Sequence, residues 1–120
     1  MKRNNGWIAL ADQKPAEADG ETVLMWHAFQ GTMPEKPGNC CRNRFYVYWQ
    51  RLPQAGWQRA AERMPEKRDA DEKNCVLAKD TDGRVKVTGW HQFESNPNLE
   101  RWMRTPEPPD DYRELRQKMY

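Results

Sequence analysis

The residues best suited to metal or thiol chemistry in this 120-residue chain are His27, His91, Cys40, Cys41 and Cys75. Imidazole nitrogen and thiolate sulfur are the usual ligands of tetrahedral zinc. The spacing argues against such a site: there is no Cys-x-x-Cys and no His-x-x-x-His, and the adjacent Cys40-Cys41 makes a poor anchoring pair. A cysteine nucleophile needs its thiolate stabilised by a histidine or a helix N-terminus. His27 and Cys40 stand in the same half, but no local motif fixes a third partner. Carboxylates cluster at Asp69, Asp71 and Glu72 and at Asp80 and Asp82, with Lys and Arg among them. Asp82-Gly83 is turn chemistry, and "DTDGR" is too short for a calcium loop. No Gly-rich phosphate loop occurs. The expectation is a protein without catalytic residues, metal or cofactor, and therefore not an enzyme, with a small metal-dependent or thiol enzyme as the last of the alternatives.

The residue types fit recognition better. Trp, Tyr and Arg dominate binding hot spots. Both histidines sit in a Trp-His-x-Phe frame, Trp26-His27 in one half and Trp90-His91 in the other. Arg42, Arg44, Tyr46 and Tyr48 interleave bases and rings, and alternate positions of a strand share a face. Phe45, Val47 and Trp49 then point the other way, as the natural core. The candidate partner-binding residues are Trp26, His27, Arg42, Arg44, Tyr46, Tyr48, Trp90 and His91. A protein partner is favoured. Nucleic acid is the alternative, weakened by a net charge of only +2 from 20 basic and 18 acidic residues whose signs interleave.

These residues must be held by a small framework. Six Trp, four Tyr and three Phe supply buried area that the modest apolar content does not. No apolar run approaches membrane-spanning length. The start "MKRNNGW" has no apolar core, and the cysteine count is odd, so a reduced, cytoplasmic setting is expected.

The chain is internally repetitive. "GWIALADQKP" lies over "GWQRAAERMP", "TVL" over "CVL", and "YWQRLP" over "RWMRTP". Trp7, Trp49, Trp57 and Trp102 recur at matched positions, and each half is expected to close by packing its first Trp against its last. "WIAL", "TVLMWHAF", "RFYVYW" and "LERWMRT" read as strands, and "CVLAKDTDGRVKVTGWHQF" as a hairpin turning at Asp82-Gly83. "QGTMPEKPGN" reads as a loop, which leaves the hairpin without a counterpart in the first half and puts the two histidines at different places in the repeat. "AAERMP" is a single helical turn or an irregular approach to Pro65. "DYRELRQKMY" can form a helix capped by Asp110 or Asp111, reached by an extended strap through Pro106, Pro108 and Pro109. The expected fold is α+β and mainly β. It has two small antiparallel sheet units, at 1–55 and 56–109, and a helix at 110–120, all in one compact domain.

The second half resembles domain-of-unknown-function family 551, short phage and prophage proteins. The resemblance rests on Gly56-Trp57, Glu62-Arg63-Met64-Pro65, Val76-Leu77, Asp82-Gly83, Val85, Val87, Trp102-Met103 and Pro106-Glu107-Pro108-Pro109. Arg104 stands where the family usually has Pro. A degenerate copy runs over 6–53, through Gly6-Trp7-Ile8, Pro15, Gly20-Glu21 and Val23-Leu24. The resemblance carries over no catalytic residue. It implies an accessory protein of a temperate phage in a Gram-negative host, of the kind that binds and inhibits a host or defence protein.

Overall fold

A computed structural model describes residues 5–16, 19–40 and 42–118. Cys41 and the end of the expected 110–120 helix lie outside the described residues. The chain forms two compact units, Met1–Leu52 with Pro106–Tyr120, and Pro53–Thr105. The fold is α+β and mainly β. The first unit holds β1 (Ile8–Ala9), β2 (Val23–His27), β3 (Gly31–Glu35) and β4 (Tyr46–Arg51) in the order β1-β4-β2-β3. The second holds β5 (Gln58–Arg59), β6 (Cys75–Asp80), β7 (Val85–Gly89) and β8 (Leu99–Met103) in the order β5-β8-β6-β7. All pairings are antiparallel. A short helix α1 (Gln92–Ser95) follows β7, and α2 (Tyr112–Lys118) joins the first unit, not the second.

The two sheets have one topology, and their residues match without insertion or deletion from Thr22/Cys75 to Pro53/Pro106. This corrects two expectations. "QGTMPEKPGN" is not a loop: Gly31–Glu35 pairs with the whole of β2, from Val23 with Glu35 to His27 with Gly31. Pro34 hides this strand from a reading of composition, but β3 is a sheet edge, where a missing N–H breaks no ladder bond. The hairpin of the second unit therefore does have a counterpart.

Each core fills one face of its sheet with matched residues. Val23, Met25, Cys40 and Trp49 pack together with Tyr46 against them. Val76, Ala78, Phe93, Leu99 and Trp102 do the same. The last Trp of each sheet donates its indole N–H to a carbonyl in the loop after the first strand, Trp49 to Gln13 and Trp102 to Arg63, both at 2.7 Å. Pro15 and Pro65 are both buried. Behind them Asp19 accepts from the Ala16 N–H and pairs with Arg51, while Asp69 accepts from the Glu66 N–H and pairs with Arg104. Gly6 and Gly56 precede the matched Trp7 and Trp57 at φ +88° and +92°, a region that favours glycine.

The first Trp of each repeat does not close on the last. Trp7 stands edge-on to Trp26, with ring centroids 5.7 Å apart, and Trp57 lies under the Lys79 ammonium at 4.4 Å. Each takes its indole acceptor from the connector that leaves the other repeat's final strand. Trp57 donates to the Pro53 carbonyl at 2.9 Å, after β4, and Trp7 to the Glu107 carbonyl at 2.7 Å, after β8.

Candidate functional site

In a β-hairpin the turn must satisfy backbone N–H groups that no longer reach a partner strand. In the second unit a carboxylate does this. Asp80 Oδ1 accepts from the Asp82 and Arg84 N–H groups, both at 2.9 Å. Those backbone bonds hold its pKa low, with burial working against them and Lys86 assisting. In the first unit the matched residue is His27, whose Nδ1 accepts from the Phe29 and Gln30 N–H groups at 3.2 and 3.1 Å. Both residues follow a bulge, between Trp26 and His27 in one sheet and between Lys79 and Asp80 in the other. The structural partner of His27 is thus Asp80, and the shared Trp-His-x-Phe frame is coincidental.

Around His27 the turn end of the first unit is aromatic. Phe29 and Phe45 pack edge-to-face with centroids 5.2 Å apart, and the imidazole is 5.4 Å from Phe45. Both phenyl rings are partly exposed. The Arg44 guanidinium lies 4.8 Å over Phe45, and Arg116 of α2 donates to the Ala28 carbonyl at 2.8 Å. Asn43 holds the approach to β4 by accepting from the Phe45 N–H at 2.9 Å, as Asn96 does from Asn98 at 3.1 Å. Arg42 and Arg44 are exposed, and the charge of Arg42 helps lower the pKa of Glu35 against burial, together with bonds from Asn39, Lys36 and Tyr46.

Several candidate residues are placed otherwise than expected. Trp26, Tyr48 and His27 are buried, at 4%, 7% and 6% exposure, so none is a free contact residue. Trp26 lies between Trp7 and Tyr112, both edge-on, and its indole N–H has no oxygen or nitrogen acceptor among the described residues. Tyr48 donates its hydroxyl to Asp111 at 2.8 Å. Burial and that carboxylate push its pKa to about 12. The segment 106–118 is what covers this face. Arg42 and Arg44 precede β4, which begins at Tyr46, so they do not extend its alternation. The bulge breaks the pattern further: Tyr46 packs with the Val23 and Trp49 core and donates to Glu35 at 3.1 Å, whereas Tyr48 reaches Asp111, just before α2. Burial and Glu35 push Tyr46 to about 12 as well. In the second unit Trp90 is half-buried against the core, and exposed His91 leads into α1 instead of lying on a strand. Its ring fills the space where a Cβ on Gly89 would meet Cε1 at 2.7 Å. Phe45 and Val47, expected in the core, are partly exposed, as is Phe29, which the sequence did not single out.

For chemistry the arrangement offers little. Among the described residues no group of three or more His, Cys, Asp or Glu could hold a metal ion. Cys40 is part of the core, and burial, followed by Asp71, raises the pKa of Cys75, which makes it a poor nucleophile. Among the described residues no helix is long and apolar enough to cross a membrane.

His27 carries a testable pH dependence. Two N–H donors on Nδ1 require that atom to be unprotonated, and burial lowers its pKa from the ordinary 6.5. Above pH 6.5 the imidazole is neutral in both folded and unfolded chains. As pH falls below that value the unfolded chain takes up the proton first, so stability declines until the lowered folded pKa is passed. The melting temperature is expected to fall between pH 7 and pH 5. His27→Asp, the residue the second unit uses, should remove that step and leave loss only in the carboxylate range. A wild-type melting temperature flat over this interval would refute the assignment.

No family model, curated protein or solved structure matches the chain. The two repeats, however, can be compared with each other.

Proposed function

We propose that this chain is a non-enzymatic, phage-encoded accessory protein that binds a host protein through the turn end of its first unit and so inhibits or modulates it, with a defence factor as the target class. One observation supports the binding surface above the rest. Phe29 and Phe45 occupy the positions that Asp82 and Asn98 occupy in the second unit: Phe45 and Asn98 stand on turns with the same backbone bonds, and the Phe29 and Asp82 N–H groups each donate to the side chain that caps their hairpin. The Ala28 N–H reaches the Phe45 carbonyl as the Thr81 N–H reaches that of Asn98, both at 2.9 Å. The second unit makes the matched turn with polar Asn98, so that turn by itself does not call for the partly exposed rings of the first unit. A partly exposed aromatic pair beside Arg42 and Arg44 is a composition suited to a protein interface. The phage setting rests on the resemblance of 56–109, ending in "WMRTPEPP". The host cytoplasm is where such a protein would act.

Nucleic acid is the weaker reading, because the hydroxyls of Tyr46 and Tyr48 are engaged by carboxylates and Tyr48 is buried, which removes the stacking platform. The test is affinity capture from host lysate with the wild type and with Phe29→Asp, Phe45→Asn, which installs the second unit's residues. The expected result is a host protein retained by the wild type and lost by the variant at an unchanged melting temperature. Equal capture by both, or salt-sensitive binding to random DNA or RNA in its place, would overturn the proposal.

A further inference from the structure

The second unit carries a basic recess that the first lacks. Asp69 closes a 3-10 turn (Lys67–Asp69), with its side chain only 1% exposed. It accepts the Glu66 N–H at 3.0 Å, Arg104 Nη2 at 3.1 Å, and Arg63 Nη2 at 3.2 and 3.1 Å on its two oxygens. Burial raises its pKa, but the Glu66 N–H and the two guanidiniums outweigh this and lower it. In the first unit Arg51 is the one arginine among the described residues that serves Asp19, and Gln13 stands where Arg63 stands here. The fold therefore requires one guanidinium at this place, and the second is additional.

Arg63 lies with its Cζ 5.2 Å over the Trp102 ring, a cation–π contact that helps position the guanidinium. A cavity of about 260 Å³ opens beside the pair, lined also by Gln58 and Met103. Asp69 is the one carboxylate in that lining. Two guanidiniums, 42% and 66% exposed, thus face it with one negative charge between them. Arg63 keeps its Nε and Nη1 donors, which can form a fork with a carboxylate, whereas Arg104 spends Nε, at 3.4 Å, as well as Nη2 on Asp69 and keeps Nη1.

We propose that this recess binds a carboxylate on an apolar stem, with Arg63 and Arg104 holding the anion and half-buried Met103 meeting the stem. A monoanion balances the uncompensated charge. A phosphate dianion would bring excess negative charge beside buried Asp69. The site is built from residues of the second unit, and the proposal does not depend on the reading of the first unit's turn end.

The experiment is an NMR titration of the full chain, following the arginine Nε–Hε signals. The probes are propionate, a capped Gly-Glu-Gly peptide and inorganic phosphate, at matched ionic strength. Saturable shifts at Arg63 and Arg104 are expected with the carboxylates. Arg63→Gln should weaken binding at least about tenfold, as expected for loss of a charge-assisted bond. Its melting temperature should hold, since the first unit folds with Gln there. Arg63→Lys, which keeps the charge but not the fork, should fall between. Tighter binding of the peptide would identify a protein side chain as the source, and tighter binding of propionate a free organic acid. The proposal is overturned if neither carboxylate gives a saturable shift, if Arg63→Gln binds as well as the wild type, or if phosphate binds more tightly than both.

Discussion

A chain ending at Thr105 is expected to lose the native fold of its first unit. That unit is discontinuous, and the segment 106–118 covers one face of its sheet. Pro109 is fully buried, Glu107 accepts from Trp7, Asp111 accepts from Tyr48, and Tyr112 stands against Trp26. Removing the segment uncovers three large rings. If roughly half their area returns to water, about 300 Å² at about 25 cal/mol per Å² gives a loss on the order of 7 kcal/mol. That equals the whole stability of many small domains. Amide NMR spectra should show collapsed dispersion for residues 5–52, with near-UV circular dichroism from the tryptophans reduced. Retention of dispersed signals for Trp7, Trp26 and Tyr48 would show that the sheet holds without its cover.

Trp102→Ala is expected to have the next largest effect, about 3–5 kcal/mol, as for other large-to-small core replacements. The ring is 2% exposed and central to the Val76, Ala78, Phe93 and Leu99 cluster. The substitution also leaves the Arg63 carbonyl without its indole donor and the Arg63 guanidinium without its cation–π contact. Trp102→Phe separates these terms: it keeps a ring but loses the hydrogen bond, for about 1–3 kcal/mol. Urea denaturation of both variants measures the difference. A cost below about 1 kcal/mol for Trp102→Ala would mean that this ring is not what organises the second sheet.

The repeat, most of the strands and the C-terminal helix were legible because they rest on local marks such as Gly-Trp, Val-Leu, Trp-x-x-x-Pro and Asp-Gly; the two-residue β5 was not. β3 was not, since Gly31, Pro34 and Pro37 suggest a loop unless the strand is known to be an edge. Missing it hid the gap-free match of the repeats, and with it the pairing of His27 with Asp80. The burial of Trp26 and Tyr48 could not be read locally, because their cover comes from residues far away in the chain. The alternation of Tyr46 and Tyr48 failed at a bulge that no residue type announces. Asp19–Arg51 and Asp69–Arg104 span from strand end to loop, so the added role of Arg63 shows only once the two units are compared.

The cover supplied by 106–118 also reverses the order of events during synthesis. Domains made on ribosomes generally fold from the N-terminus, as the chain emerges at about 5–20 residues per second. Here the contiguous unit, 53–105, has all its parts first, while the unit that contains the N-terminal half must wait for α2. For that interval Trp7, Trp26 and Tyr48 have no cover from 106–118. Of the two units, the one whose residues begin earlier in the chain is the later able to reach its native state, and a ribosome stalled just after Thr105 would present it unfinished.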